Sequence, residues 1–213
     1  MTDSSKRVTL IGDVVGSRHH PDRVVLQRTL VSALQAVNQL EPTHHPLKIT
    51  VGDEFQASYA RRGQAMNAML QLRARLNPDI DIRFGVGRGD VKVLNVRLGS
   101  QDGPGWWAAR ESIEWVKVQQ KKTGWHSARS RYKEASGWET TEAAVNAALS
   151  SQDVILAEWD RRTWEIMLGL INGAPQSAVA DKLGISRQAV QQRRKSANLP
   201  LVVSAHEWLA QLN

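Results

Sequence analysis

The order in which the apolar period changes along the first half constrains this chain more than any other feature. Arg7 to Val15 (RVTLIGDVV) is a short run rich in β-branched residues, the signature of a buried strand. Pro21 to Leu40 then sets Val24, Val25, Leu26, Leu30, Val31, Leu34, Val37 and Leu40 at helical spacing, with Pro21 suited to a first turn. Leu47–Val51 and Glu54–Tyr59 are strand-like and flank Gly52-Asp53, a tight-turn dipeptide, so the pair predicts a hairpin. Gly63 to Leu76 returns to helical spacing, and Ile80 to Gly87 alternates apolar with polar or small residues, as in a half-buried strand. Val91 to Leu98 is a candidate further strand, and Trp106 to Val118 a further helix. The order βαββαβ specifies a ferredoxin-like α/β (α+β) unit.

Composition separates this unit from the rest of the chain. All eight Trp lie after residue 105, and the net charge of +7 divides into +5 over residues 1–100, −2 over 101–160 and +4 over 161–213. Two units are expected, residues 1–138 and 139–213. The chain has no Cys, which excludes disulfide scaffolds, thiolate metal sites and thiol catalysis, and fits a reducing cytoplasm. No apolar run approaches the length of a membrane span, and no leader is expected.

The second unit carries the sharper motif. Residues 176–195 (QSAVADKLGISRQAVQQRRK) place small Ala180 where two helices must cross, Gly184 in the turn between them, and Ser186 as cap of the second helix. Val179, Leu183, Ile185 and Val190 are the expected contacts between the helices, and Trp164 to Ile171 forms a support helix. This is a helix-turn-helix pattern. The second helix exposes Arg187, Gln188, Gln191 and Gln192, and Arg193, Arg194 and Lys195 come next. Gln and Arg suit base edges, and Arg and Lys suit phosphates, so double-stranded DNA is the expected partner. A helical hairpin used only for protein contacts would not need such a face.

In the first unit, Asp13 ends the first strand and Asp53 sits at the hairpin tip. The first and third strands of a ferredoxin-like sheet are neighbours, so the two carboxylates fall close together. Such a pair repels unless a cation neutralises it, which points to Mg²⁺ or Mn²⁺. The alternative is that Asp13 caps the following helix and Asp53 is a turn residue. Gly12 and Gly16 would let a nucleotide approach the backbone.

The segments Ile11-Gly12-Asp13-Val14-Val15-Gly16-Ser17, Val51-Gly52-Asp53-Glu54-Phe55 and Arg83 to Val91 (RFGVGRGDV) resemble, in order and separation, the palm domain shared by class III nucleotide cyclases and diguanylate cyclases. The palm resemblance covers about residues 7–118, and nearly the whole chain is similar to the SatD family, in which such a unit precedes a helix-turn-helix. The resemblance implies metal ligation by Asp13 and Asp53 and phosphate contacts from Val14, Val15, Gly16 and Ser17, with Gly52 and Arg110 beside the nucleotide. It also implies a homodimer. The departures are specific. The base-selecting Lys position is Ile49, with Lys48 one residue out of register; the Asn paired with Arg110 is replaced by Trp106 or Trp107; and Val51 stands where the diguanylate signature has Gly. The expectation is therefore a DNA-binding regulator with a sensor or dimerisation palm, the alternative being a metal-dependent nucleotidyl enzyme targeted by its helix-turn-helix.

The remaining features predict less. Arg83 is expected to face solvent, and Arg88 and Asp90 to pair with each other. Gly85-x-Gly87-x-Gly89 opens no long helix and is a weak phosphate signal. Gln119 to Gly137 is expected to be a long loop with Lys121, Lys122, Arg129, Arg131 and Lys133 available to phosphate, and Trp125 and Tyr132 in core roles. Glu139 to Ser151 and Val154 to Leu170 are expected helices. Val202, Val203, Trp208, Leu209 and Leu212 are expected behind the motif, and His19-His20 and His44-His45 on the surface.

Overall fold

A computed structural model describes residues 5–43, 45–95, 97, 99–137 and 140–213. Residues 138 and 139, where the unit boundary was expected, lie outside this set, as do His44 and Leu98. The first half comprises β1 (Ser5–Val14), α1 (Arg23–Leu40), β2 (His45–Val51), β3 (Glu54–Tyr59), α2 (Arg62–Leu76), β4 (Ile82–Asn95), β5 (Ser100–Asp102) and α3 (Pro104–Gln119). The strand order is β2-β3-β1-β4-β5, with β1 antiparallel to both β3 and β4. The β2-β3-β1-β4 portion is the ferredoxin-like arrangement. What was expected as two strands over 80–98 is one long strand, β4, folded back onto short β5.

The two faces of the sheet are covered differently. Val8, Leu10 and Val14 of β1 and Ile82, Phe84 and Val86 of β4 join the main core with Leu30 and Leu34 of α1 and Met66 and Leu72 of α2. Successive strand residues point to opposite faces. Ile11 and Val91 accordingly meet Trp106, Ala109 and Ile113 of α3 on the other side. The polar or small positions of β4 therefore do not face solvent. They face α3, and Gly85 and Gly87 are there because the helix backbone comes too close for a side chain. A Cβ on Gly87 would lie 2.3 Å from Ala109 N and from Gly105 O, and one on Gly85 2.3 Å from Ala109 O and Ile113 N. The glycine run belongs to helix–sheet packing.

The expected 119–137 loop contains a sixth strand, β6 (Ser130–Glu134), parallel to β4. Helix α4 (Thr140–Ala157) lies against it, with Asn146 accepting from Tyr132 N and donating to Tyr132 O, both at 2.9 Å. Tyr132 is fully buried, whereas Trp125 is 43 % exposed and meets Trp115 edge-on. Trp106 is buried and Trp107 exposed.

Helices α5 (Arg161–Ile171), α6 (Gln176–Leu183), α7 (Arg187–Ser196) and α8 (Leu199–Ala210) complete the chain. Their core holds Trp159, Trp164, Ile166, Met167, Val179, Ala180, Val190, Leu199 and Val202, and it also takes in Leu70 and Ala74 of α2. Leu209 joins the main core, while Trp208 is exposed. No described helix is long and apolar enough to cross a membrane.

Two histidines are buried where the surface or no role was expected. His45 packs edge-on against Trp106, and burial lowers its pKa. His206 of α8 pairs through Nε2 with Asn67 Oδ1 at 3.0 Å, and burial lowers its pKa to about 4 from 6.5. Between these values the unfolded chain binds a proton that the folded protein refuses, so stability is full above pH 6.5 and falls toward pH 4. Acidification from pH 7.5 to pH 5 should cost about 2 kcal/mol through this residue. Urea melts at the two pH values should show a smaller acid loss in His206→Asn than in the parent protein.

Candidate functional site

Two places carry chemistry, one on α7 and one at the end of β1. In the first, α6 ends at Gly184 with φ 62°, a left-handed conformation suited to glycine, and α7 begins at Ser186, whose Oγ accepts from Ala189 N at 3.1 Å. Val190 is the inward contact of α7, fully buried, and Val179 and Ala180 of α6 lie in the same cluster. Arg187, Gln188, Gln191, Gln192 and Lys195 are exposed. Arg193 and Arg194 are half-buried, and Arg193 Nη1 donates to Asp160 Oδ2 at 2.8 Å, tying α7 to the cap of α5. Of the eight residues expected at DNA, Ser186, Arg187, Gln188, Gln191, Gln192, Arg193, Arg194 and Lys195, Arg193 and Arg194 are thus partly drawn into the helical packing.

In the second place, the hairpin tip reaches the end of β1. Asp53 Oδ2, at the hairpin tip, accepts from Val14 N at 3.0 Å, so its carboxylate lies beside the residue after Asp13. Asp13 does not cap α1; Asp22 does, accepting from Val24 N and Val25 N. Arg83 is not solvent-facing. It stands opposite Asp13 in the β1–β4 register, its Nε donates to Asp13 Oδ1 at 2.5 Å, and its Nη1 donates to Gln120 Oε1 at 2.9 Å. Lys117 of α3 places Nζ 3.0 Å from the other Asp13 oxygen and 2.8 Å from Glu114 Oε1. Burial alone would lower the Lys117 pKa, but Glu114 and Asp13 together carry it above the usual value.

Arg110 is engaged as well. It grips Glu54 with both terminal nitrogens, at 2.6 and 2.7 Å, and this pairing holds the Glu54 carboxyl below its usual range. Of the amides expected to cradle phosphate, Val14 N donates to Asp53 and Val15 N to Asp81 O at 2.8 Å. Gly16 and Gly52 hold left-handed turns at φ 68° and 61°, and Ser17 opens a short 3-10 turn. Arg88 pairs with Glu134 at 3.5 Å, not with Asp90. Glu54, Glu114 and Lys117 were not singled out from sequence. Lys117 lies seven residues after Arg110, two helical turns, and that spacing was the available signal.

The match to known families decides the relationship. The SatD family matches residues 7–212. The chain belongs to the SatD family. No curated protein matches this SatD-family chain in sequence. Among solved structures, it is similar to a bacterial light-regulated adenylyl cyclase, at 11 % identity and a TM-score of 0.49, with 62 % of this chain and 44 % of that one covered. It is also similar to the adenylate/guanylate cyclase/hydrolase from Silicibacter pomeroyi, at 18 % identity and a TM-score of 0.41, covering 57 % of this chain and 83 % of that one. A third likeness is to the adenylyl cyclase CyaB from P. aeruginosa, at 15 % identity and a TM-score of 0.38, covering 52 % and 71 %. The SatD-family chain thus spans less than half the length of the light-regulated cyclase it matches.

The resemblance of residues 7–118 to cyclase palm domains implies Mg²⁺ or Mn²⁺. The donor set here does not fit a divalent ion. Each Asp13 oxygen already accepts from a cationic side chain, an Asp53 oxygen accepts a backbone amide, and no described group of three or more His, Cys, Asp or Glu residues is arranged to hold a metal.

Proposed function

We propose that this SatD-family protein is a DNA-binding transcriptional regulator in which α7 is the recognition helix and the palm unit is the platform on which two copies pair. The observation that carries the reading is the face of α7. Arg187, Gln188, Gln191 and Gln192 are exposed on a helix fixed by the Ser186 cap, the Gly184 turn and the buried Val190. Such a face offers bidentate donors to base edges and positive charge to phosphates. A two-fold pair would present two such helices to two half-sites. The units expected at 1–138 and 139–213 keep their roles in this reading, with α4 as the helix that fastens the second to the sheet.

The test is a fluorescence anisotropy titration on a duplex enriched from a random pool. Binding should weaken steeply with salt, as counterion release requires. Arg187→Ala should weaken it about tenfold and flatten the salt slope by about one unit, and Gln191→Ala should relax base preference with little change in slope. Both side chains are exposed, so melting temperatures should not move. Unchanged DNA affinity in both variants removes the recognition-helix assignment.

The second reading, a nucleotide-processing enzyme delivered by α7, draws on the reach of Asp53 to the end of the strand that carries Asp13. Incubation with ATP and GTP in the presence of Mn²⁺, analysed for cyclic and linear products, separates the two. A product that disappears in Asp13→Asn would replace the platform reading.

A further inference from the structure

The groups that a divalent cation would need at the end of β1 are engaged by the chain itself. Asp13 is buried at 8 % exposure, and its two oxygens are shared out, one to Arg83 Nε and one to Lys117 Nζ. The fold fixes both partners. Arg83 is the register partner of Asp13 on the neighbouring strand, on the sheet face that α3 covers. Lys117 lies four residues after buried Ile113 on the helix that lies against that face, which returns it to the same side one turn on. Asp53 spends an oxygen on Val14 N, and Glu54 is closed off by Arg110.

We infer that Lys117 and Arg83 stand where a divalent cation would stand, so that Asp13 is neutralised by the protein and the Asp13–Asp53 corner takes no Mg²⁺ or Mn²⁺ while these two side chains are present. Mg²⁺ demands near-octahedral oxygen ligation and gives up its waters reluctantly. To reach Asp13 it must displace one of the two cations and then sit beside the other, which repels it. The same contacts give the cluster a mechanical task. Asp13 holds the C-terminal half of α3 through Lys117, and Glu54 holds its middle through Arg110. The hairpin tip, the end of β1 and α3 are therefore fastened together at any metal concentration. None of this depends on what α7 binds, and no DNA is needed to test it.

The test uses Mn²⁺ alone as the probe, with free ion followed by electron paramagnetic resonance in titrations of the full chain. The parent protein should leave the free Mn²⁺ signal unchanged up to about millimolar concentrations. Lys117→Met removes the more exposed of the two cations and should raise Mn²⁺ affinity about tenfold or more, giving a single saturable site. Adding Asp13→Asn to Lys117→Met should abolish that site. Arg83→Met with Lys117→Met should bind more tightly still. If the double variant fails to fold, Lys117→Met decides alone, since Lys117 sits at the edge of the cluster with its side chain 27 % exposed. Two results overturn the inference: Mn²⁺ binding by the parent protein that Asp13→Asn removes, or no gain of binding in a folded Lys117→Met variant.

Discussion

Asp153→Ala should destabilise this protein by about 3–5 kcal/mol, enough to shift its denaturation midpoint by a large fraction of the total. Asp153 lies on α4 and is 2 % exposed. One of its oxygens, Oδ2, accepts from Arg129 N at 2.7 Å and from Ser130 N at 2.8 Å, the two amides that lead into β6. Its other oxygen accepts from Ser130 Oγ at 3.3 Å and from Arg73 Nη1 of α2. Removing the carboxylate therefore strands a buried guanidinium and two backbone amides at once, and frees the start of β6. Arg73→Met should cost less, because Asp153 keeps three donors. The double change Asp153→Leu with Arg73→Met should cost less than the sum of the single changes, since a buried pair can be exchanged for apolar packing at little loss. Equilibrium urea melts of the three variants measure this directly. A loss below about 1 kcal/mol in Asp153→Ala would mean that β6 is held by something else.

The second large effect is expected at Gly87. Its Cβ position falls 2.3 Å from two backbone atoms of α3, neither of which can move without shifting the helix. Overpacking of a core usually costs about 1–3 kcal/mol, and here the obstacle is backbone on both sides, so Gly87→Val should lie above about 3 kcal/mol. Gly52→Ala gives the contrast. Gly52 has φ 61° and no atom within 4 Å of its Cβ position, so only the left-handed strain of about 1 kcal/mol applies. Thermal melts should rank Gly87→Val far below Gly52→Ala. The reverse order would show that the glycine run is not there for α3.

These two residues also show where sequence stops being legible. The strands β1 to β4 and helices α1 and α2 are readable from apolar period because each sends a regular set of apolar residues into the main core. The partner of the opposite sheet face is not written in that period. Gly85 and Gly87 look like a solvent-facing or ligand-facing alternation until α3 is seen lying on them. The strand β6 was hidden for a related reason. Its inward positions are Ser130, Tyr132 and Glu134; Tyr132 alone is apolar enough to join the main core, and Ser130 and Glu134 are held by Asp153, Arg62 and Glu142. A strand buried mostly through hydrogen bonds, with one aromatic in the core, carries little hydrophobic signature. At the candidate sites, spacing sufficed to put Asp53 near the strand end that carries Asp13 and to set out α6, its turn and α7. It did not give the counter-charges. Arg83 and Lys117 come from β4 and α3, and nothing local to either residue says that its charge will be spent on Asp13.

Helix α2 contributes to two of the hydrophobic clusters: Met66 and Leu72 lie with the sheet, Leu70 and Ala74 with Trp164 and Val190. It is in effect a party wall. Residues 139–213 cut free of it would carry an apolar scar where Leu70 and Ala74 had been, and a fragment holding the helix-turn-helix alone should be sticky and poorly folded. The same wall joins the core of the sheet to the cluster that holds Val190 of α7. If two copies pair through the sheet unit and α7 reads DNA, as proposed, the gap between the two α7 helices is set through this shared packing, and the two DNA half-sites would have to keep a fixed number of base pairs between them, with insertions tolerated only in whole turns of the duplex.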